Sequence, residues 1–344
     1  MSPSCCGAQQ LLHGRWQRWQ RLNASATPPL LYTLQHRSGE RLRKHRLQQR
    51  GNASYPQFPE HLMWQWLPVE ECPLPLATHH GFCSALQALQ IRRIFVVGDS
   101  MQYAMFQSLW NLLAPDPSRR PGDPIHPSTR RSGKNVRSVF QCGSSGKGKY
   151  VLAVRFVLNN RLSNCTASAY ETGYIAWARE YVNSDAPTLL LASMGSHVHS
   201  VSDFEESMSS FMRSVAGSNR TQDVVVFRTT TPGQVNCEQF QQPLGRVRDF
   251  QLQAGRSANL SYSWDLHPSF NSIAAAHVRR AARGYKTLFT SRIGILDVYP
   301  MSVTRPDARR KPPEDCLHYT LPGVPDFWNH LLLVKLQLWA KACT

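Results

Sequence analysis

The segment RRIFVVGDSMQYAMFQSLWNLL, residues 92–113, decides the fold. Residues 94–97 form a short apolar run bounded by turn residues, the pattern of a strand buried on both faces of a sheet. The run stops at Gly98-Asp99-Ser100, after which Met105, Phe106, Leu109, Leu112 and Leu113 recur at the spacing of one helix face. Ser100 therefore stands at a helix start, where backbone N–H groups and the helix dipole favour a developing negative charge. That placement suits a nucleophile, and it suits an N-cap serine equally well.

The same alternation continues along the chain. Apolar runs at 151–157, 189–192, 224–227 and 293–298 read as buried strands, and 103–113, 203–215, 271–283 and 326–339 read as helices. Alternating strands and helices imply an α/β fold, a parallel sheet with helices on both sides. Residues 115–149 are rich in Pro, Ser, Gly and Arg and read as one long insertion bordering a substrate groove above the sheet. No repeat at a fixed period is present, which excludes solenoids and propellers.

Charge is unevenly distributed. The 344 residues carry 39 Lys+Arg against 22 Asp+Glu, a net charge of +17. Such a balance suits an anionic partner: an acidic polysaccharide, a membrane surface or a nucleic acid. Much of it lies in residues 1–55, read as a basic, flexible arm, with the folded domain running from 56 to 344. Trp16 and Trp19 among the arginines raise a base-stacking possibility, but no nucleic-acid-binding signature accompanies them, and a solvated linker is the expected reading.

Nine cysteines without a CxxC pair argue against a zinc cage or a redox motif and fit disulfides better. Sequons at Asn23, Asn52, Asn164, Asn219 and Asn259 point the same way, to the secretory pathway. No apolar run is long enough for a signal peptide, anchor or membrane span, so the expectation includes a start missing from this sequence.

Two further segments complete a candidate chemistry. In EDCLHYTLPGVPDFWN, residues 314–329, Asp315 and His318 are three apart and can reach one point from a turn or short helix. A nucleophilic serine needs a base to take its proton and a carboxylate to hold that base, roles that His318 and Asp315 can fill. An N-cap aspartate beside a surface histidine is the plain alternative. In LLLASMGSH, residues 189–197, a strand ends near Gly195, whose N–H is a candidate oxyanion donor; a turn glycine is the alternative.

Taken together the segments resemble the trichome birefringence-like and PC-esterase branch of the SGNH/GDSL superfamily, whose plant members O-acetylate cell-wall polysaccharides. WQWLPVEECPLP (64–75) is similar to that family's W-x-P-x-x-C-x-L-P. The likeness continues through FVVGDSMQYAMFQSL, LLLASMGSH, VVFRTTTPGQVNC (225–237) and LDVYPMSVTRPDAR (296–309). It ends in DCLHYTLPGVPDFWN, close to D-C-x-H-W-C-L-P-G-x-x-D-x-W-N. The resemblance implies a three-layer, flavodoxin-like sheet. It makes Ser100 the acyl-accepting nucleophile, His318 the base and Asp315 its orienting carboxylate. It also implies an acetyl donor as co-substrate with no cofactor or metal, a polysaccharide or glycan acceptor, and the Golgi lumen as location. Water in place of the sugar would make the site a carbohydrate esterase. A non-catalytic glycan- or nucleic-acid-binding protein is the third reading.

The chain departs from the family pattern at several positions. Ser193 stands for an oxyanion-binding Asn, Pro232-Gly233-Gln234 for Pro-x-His, and Arg305-Pro306-Asp307-Ala308-Arg309 for Arg-x-Asp-x-His. Thr320 replaces the second cysteine of the last motif, so Cys316 must pair elsewhere or stay free. Arg228 and His197 are candidate substrate contacts, Arg228 alternatively meeting a buried carboxylate. Arg305, Arg309, Arg310 and Lys311 either draw acidic sugars or form a solvated loop. Asp326, Trp328 and Asn329 are expected to anchor the last helix.

Overall fold

A computed structural model describes residues 11, 13–18, 60–68, 74–114, 135–142, 150–163, 175–254, 261–284 and 292–341. The elements begin with β1 (Gly14–Arg18), β2 (Trp64–Pro68), α1 (His79–Ala88), β3 (Arg93–Gly98), α2 (Ser100–Leu113), β4 (Asn135–Cys142) and β5 (Tyr150–Leu158). They continue with α3 (Ala178–Val182), β6 (Thr188–Ser193), α4 (Val201–Ala216), β7 (Val224–Arg228), α5 (Val247–Ala254), α6 (His267–Gly284) and β8 (Ile293–Leu296). The last are α7 (Tyr299–Val303), β9 (Arg309–Lys311), β10 (Asp315–Tyr319) and α8 (Val324–Lys341).

All five apolar runs become strands of one sheet, ordered β4-β5-β3-β6-β7-β8. From β5 to β8 every pairing is parallel. Alternation along β3 divides the core between the two faces, as a period of two requires. Ile94 and Val96 join Phe82, Met105, Leu109 and Leu332 of α1, α2 and α8. Phe95 and Val97 join Phe204, Phe211, Phe270 and Ala274 of α4 and α6. The result is the expected three-layer α/β arrangement, with the strands' carboxyl ends delivering their loops to one edge.

The sheet is mixed, however, because β4 pairs antiparallel with β5. It lies inside 115–149, which the sequence presents as an insertion. NVRSVFQC buries only alternate residues, Val136, Ser138, Phe140 and Cys142, as an edge strand does, so it shows no continuous apolar run. Cys142 is bonded to Cys83, tying this edge to α1.

The boundary of the basic arm also changes. Gly14–Arg18, assigned to the arm on composition, is a strand whose Trp16 pairs with Trp66 of β2. Trp16 is buried, donates from Nε1 to Met301 O at 2.9 Å and packs edge-on against Trp66 and Phe327. The buried Arg305 guanidinium covers its ring at 4.4 Å. A strand with one apolar residue among charged neighbours carries little periodic signal, yet that residue is an indole with a matched socket. Residues 19–59, including Trp19, lie outside the described residues.

Replacing Trp16 with Ala is expected to lower stability by about 3 to 5 kcal/mol, read as a fall in the urea midpoint of the full chain; an unchanged midpoint would return residues 14–18 to the arm.

Candidate active site

The site begins where β3 ends. Gly98 has φ +156°, and a Cβ there would run into Ser193 O and lie 2.7 Å from Gln102 Cβ. Only glycine lets β3 run so close to β6 and turn at once into α2. Asp99 follows as the N-cap, its Oδ1 accepting from Met101 N at 3.0 Å and Gln102 N at 3.1 Å. Ser100 is thereby relieved of the capping role that its position would otherwise suit.

Instead the Ser100 hydroxyl lies 2.7 Å from His318 Nε2. On the opposite side of the ring, His318 Nδ1 is 2.9 Å from Asp315 Oδ1 and 3.0 Å from Oδ2. A carboxylate facing Nδ1 selects the Nδ1–H tautomer and leaves Nε2 free to accept the serine proton. Burial pushes the Asp315 carboxyl up, but hydrogen bonds from the His318 backbone and side chain, with the Arg310 charge, outweigh it and hold the group below its usual range.

Asp315 and His318 lie on the strand β10, and residues three apart on a regular strand face opposite ways. The β9–β10 pairing is irregular between Asp315 and Tyr319. Within that stretch Asp315 Oδ1 accepts from the backbone N–H of Leu317 at 3.3 Å and of His318 at 3.0 Å, folding the strand into a local turn. Cys316, left without a partner by Thr320, is bonded to Cys237. Arg309 is buried and donates to Leu317 O at 2.6 Å and Pro232 O at 3.1 Å, which pins the hairpin to the loop after β7.

The last helix holds the helix that begins with Ser100 in place. Ser108 Oγ donates to Asp326 Oδ1 at 2.7 Å, and Asn329 Nδ2 donates to Met105 O at 3.2 Å and Ser108 Oγ at 2.9 Å. Trp328 Nε1 donates to Ser302 Oγ at 2.9 Å. These contacts give Asp326, Trp328 and Asn329 the anchoring role expected of them. Burial pushes the Asp326 carboxyl up to about 6.

The other candidates divide by burial. Gly195 has φ +150° and abuts Thr230, so a side chain is excluded there too. It follows Ser193, the residue paired with Gly98, and so belongs to the same sheet edge as Ser100. Ser193 is fully buried and its Oγ has no hydrogen-bond partner among the described residues. His197 is half-buried against Tyr262; burial lowers its imidazole pKa, opposed by Asp99 and reinforced by His199 and His318.

Arg228 is not where a substrate can meet it. It is buried, donating to Gln102 Oε1 at 2.7 Å and Thr229 O at 2.8 Å, with its guanidinium 4.7 Å from the Trp328 ring centre. Burial pushes it down to about 10, against the pull of Asp99. A guanidinium at the end of an apolar strand is drawn into the core by these partners and braces the first turn of α2. Arg305 and Arg309 are buried as well, so of the basic run only Arg310 and Lys311 reach solvent. Of the sequons, Asn219 is exposed; Asn23, Asn52, Asn164 and Asn259 lie outside the described residues.

Sequence reasoning missed two contributors. Gln102 carried no signal inside an amphipathic helix. Arg310, whose Nη2 is 2.7 Å from Asp315 Oδ2, was indistinguishable from its basic neighbours.

This geometry coincides with a family match. Residues 177–335 match the PC-Esterase model, described as a GDSL/SGNH-like acyl-esterase family found in Pmr5 and Cas1p. The matched span contains Gly195, Asp315 and His318; Ser100 precedes it. A curated relative, xyloglucan O-acetyltransferase 1 of Arabidopsis thaliana, is 38% identical over 63 residues, covering 14% of this chain and 15% of the relative. A solved chain from chloroplast translocon components atToc33 and psToc159 overlaps 76% of this chain and 96% of its own, with a TM-score of 0.31 and 11% identity, too low to carry an argument.

Because Asp99 and not Ser100 caps α2, Asp99→Ala is expected to cost about 1 to 2 kcal/mol while Ser100→Ala stays within about 0.5 kcal/mol. Equilibrium urea denaturation of the two variants checks the ordering.

Proposed function

We propose that the protein is an O-acetyltransferase that carries an acetyl group on Ser100 and delivers it to a hydroxyl of a polysaccharide or glycan. The observation that carries this reading is the 2.7 Å approach of Ser100 Oγ to His318 Nε2, with Asp315 on the other ring nitrogen. In the first half-reaction Ser100 gives its proton to His318 as Oγ attacks the donor's acetyl carbonyl. His318 then returns that proton to the leaving group, and acetyl-Ser100 remains. In the second, a sugar hydroxyl gives its proton to His318 and attacks the acyl-enzyme; the acetyl–Oγ bond breaks and Ser100 recovers the proton. Each acyl and proton transfer is assigned to this chain's residues, and the acetyl donor enters as co-substrate.

The oxyanion formed in each half-reaction would be met by the backbone N–H of Ser100, which the Asp99 carboxylate does not engage as it does those of Met101 and Gln102, and by that of Gly195. Ser193, two residues before Gly195 and with its Oγ unpartnered among the described residues, is the side-chain candidate for the same role. His197, half-buried near the triad, is the remaining candidate for substrate contact.

A polysaccharide acceptor is supported by the printed activity of the xyloglucan O-acetyltransferase relative. The two disulfides among the described residues and the exposed Asn219 sequon support a secretory location, for which the Golgi lumen is our reading. The described residues contain no helix long and apolar enough to cross a membrane. A second reading, a carbohydrate acetyl esterase using the same residues, is favoured by the acyl-esterase description of the matched family. The two differ only in whether water or sugar discharges acetyl-Ser100.

Incubation with p-nitrophenyl acetate, followed by peptide mass spectrometry, should yield an acetyl adduct on Ser100. Ser100→Ala should abolish it, and Asp315→Asn should slow its formation by roughly a thousandfold or more. Adding xyloglucan oligosaccharide should hasten its loss; discharge at an unchanged rate would favour the esterase, and equal labelling of Ser100→Ala would end the acyl-enzyme reading.

A further inference from the structure

The carboxylate of the triad has a second cationic partner. Arg310 in β9 brings Nη2 to 2.7 Å from Asp315 Oδ2, the oxygen that also lies 3.0 Å from His318 Nδ1. Lys311 is the register partner of Asp315, so Arg310 sits one residue from the pairing position. The hairpin that carries both is held from below by the buried Arg309 and by the Cys237–Cys316 bridge. Arg310 therefore leaves a fixed strand, although its side chain is 55% exposed against 16% for Asp315.

We propose that Arg310 is a positioning residue of this site: it fixes the Asp315 carboxylate and offsets part of its charge, setting the pH at which His318 becomes a competent base. The catalytic consequence rests on the acyl-transfer reading, whereas the coupling of Arg310 to His318 through Asp315 does not.

The physics has two parts. Asp315 Oδ1 accepts from the backbone N–H groups of Leu317 and His318, and Oδ2 accepts from Arg310. With both oxygens engaged, the carboxylate cannot rotate away from the imidazole. A carboxylate also stabilises the imidazolium opposite it, and a guanidinium on the same carboxylate weakens that stabilisation. Removing the guanidinium would restore that stabilisation.

Among the described residues, Lys311, the register partner of Asp315, and Glu314, the residue before it, flank this assembly, and three further groups face it from packed elements. His197, after β6, repels a charged His318; Asp99, at the start of α2, acts in the opposite sense on the same cluster; and Arg309 interacts with Asp315 from the buried side. All three remain in place when Arg310 is changed, so the difference isolates Arg310. Because its side chain is half exposed, solvent screens the effect, and the expected change is roughly half to one pH unit.

The test is an NMR titration of the His318 imidazole in the full chain as wild type, Arg310→Gln, Arg310→Lys and Asp315→Asn. Arg310→Gln should raise the His318 midpoint by roughly half to one pH unit, Arg310→Lys should restore most of the wild-type value, and Asp315→Asn should lower it. The acid limb of Ser100 acetylation by p-nitrophenyl acetate should move upward with the Gln variant by the same amount. An unchanged His318 midpoint in Arg310→Gln overturns the proposal. If the midpoint moves while wild-type Ser100 never acquires an acetyl group, the transferase reading falls and the coupling of Arg310 to His318 stands.

Discussion

At the carboxyl end of β3 there is no room for a side chain, and the rest of the site depends on that constraint. Residue 98 lies against the carbonyl of Ser193 and the side chain of Gln102, so the central strand can end only in glycine. With no space for a longer loop, the chain passes directly into a helix, whose first free N–H groups must be satisfied within a residue or two. Asp99 does so, which leaves the next side chain, Ser100, without structural duty and aimed at the edge where the other strands deliver their loops. The freedom of the Ser100 hydroxyl is thus a product of its neighbour's confinement.

The partners of Ser100 are held by a different set of forces. The hairpin bearing Asp315 and His318 is short and irregular and would have little stability alone. A disulfide to Cys237, the buried Arg309 and the Tyr319 hydroxyl on Ser302 O join it to the domain. Trp328 donates to the same Ser302 from α8, and Asp326 and Asn329 of that helix grip α2 through Ser108. One helix therefore sets the separation between the serine and its base from both sides.

Much of this was legible in the sequence because it rests on local signals. Buried parallel strands appear as unbroken apolar runs, and the Asp315–His318 spacing puts two side chains within reach of one point inside a few residues. What escaped was set by distant partners. The β4 strand buries every second residue at a sheet edge, and β1 has a single indole to declare itself. Arg228 looked like a ligand-seeking cation until its acceptors, Gln102 and the Thr229 carbonyl, were located. The Cys237–Cys316 pairing and the role of Arg310 were equally invisible, since spacing encodes neither which cysteines meet nor which arginine of a basic run reaches a carboxylate.

The 218 residues separating Ser100 from His318 also order events during synthesis. At about 5 to 20 residues per second, the serine leaves the ribosome roughly 10 to 45 seconds before its base exists. Through that interval the growing chain holds a hydroxyl with no group to accept its proton. The helix that fixes the spacing, Val324–Lys341, is made later still. The contact between Ser100 and His318 can therefore form only after both segments have been made, an ordering that comes from their separation in the sequence alone.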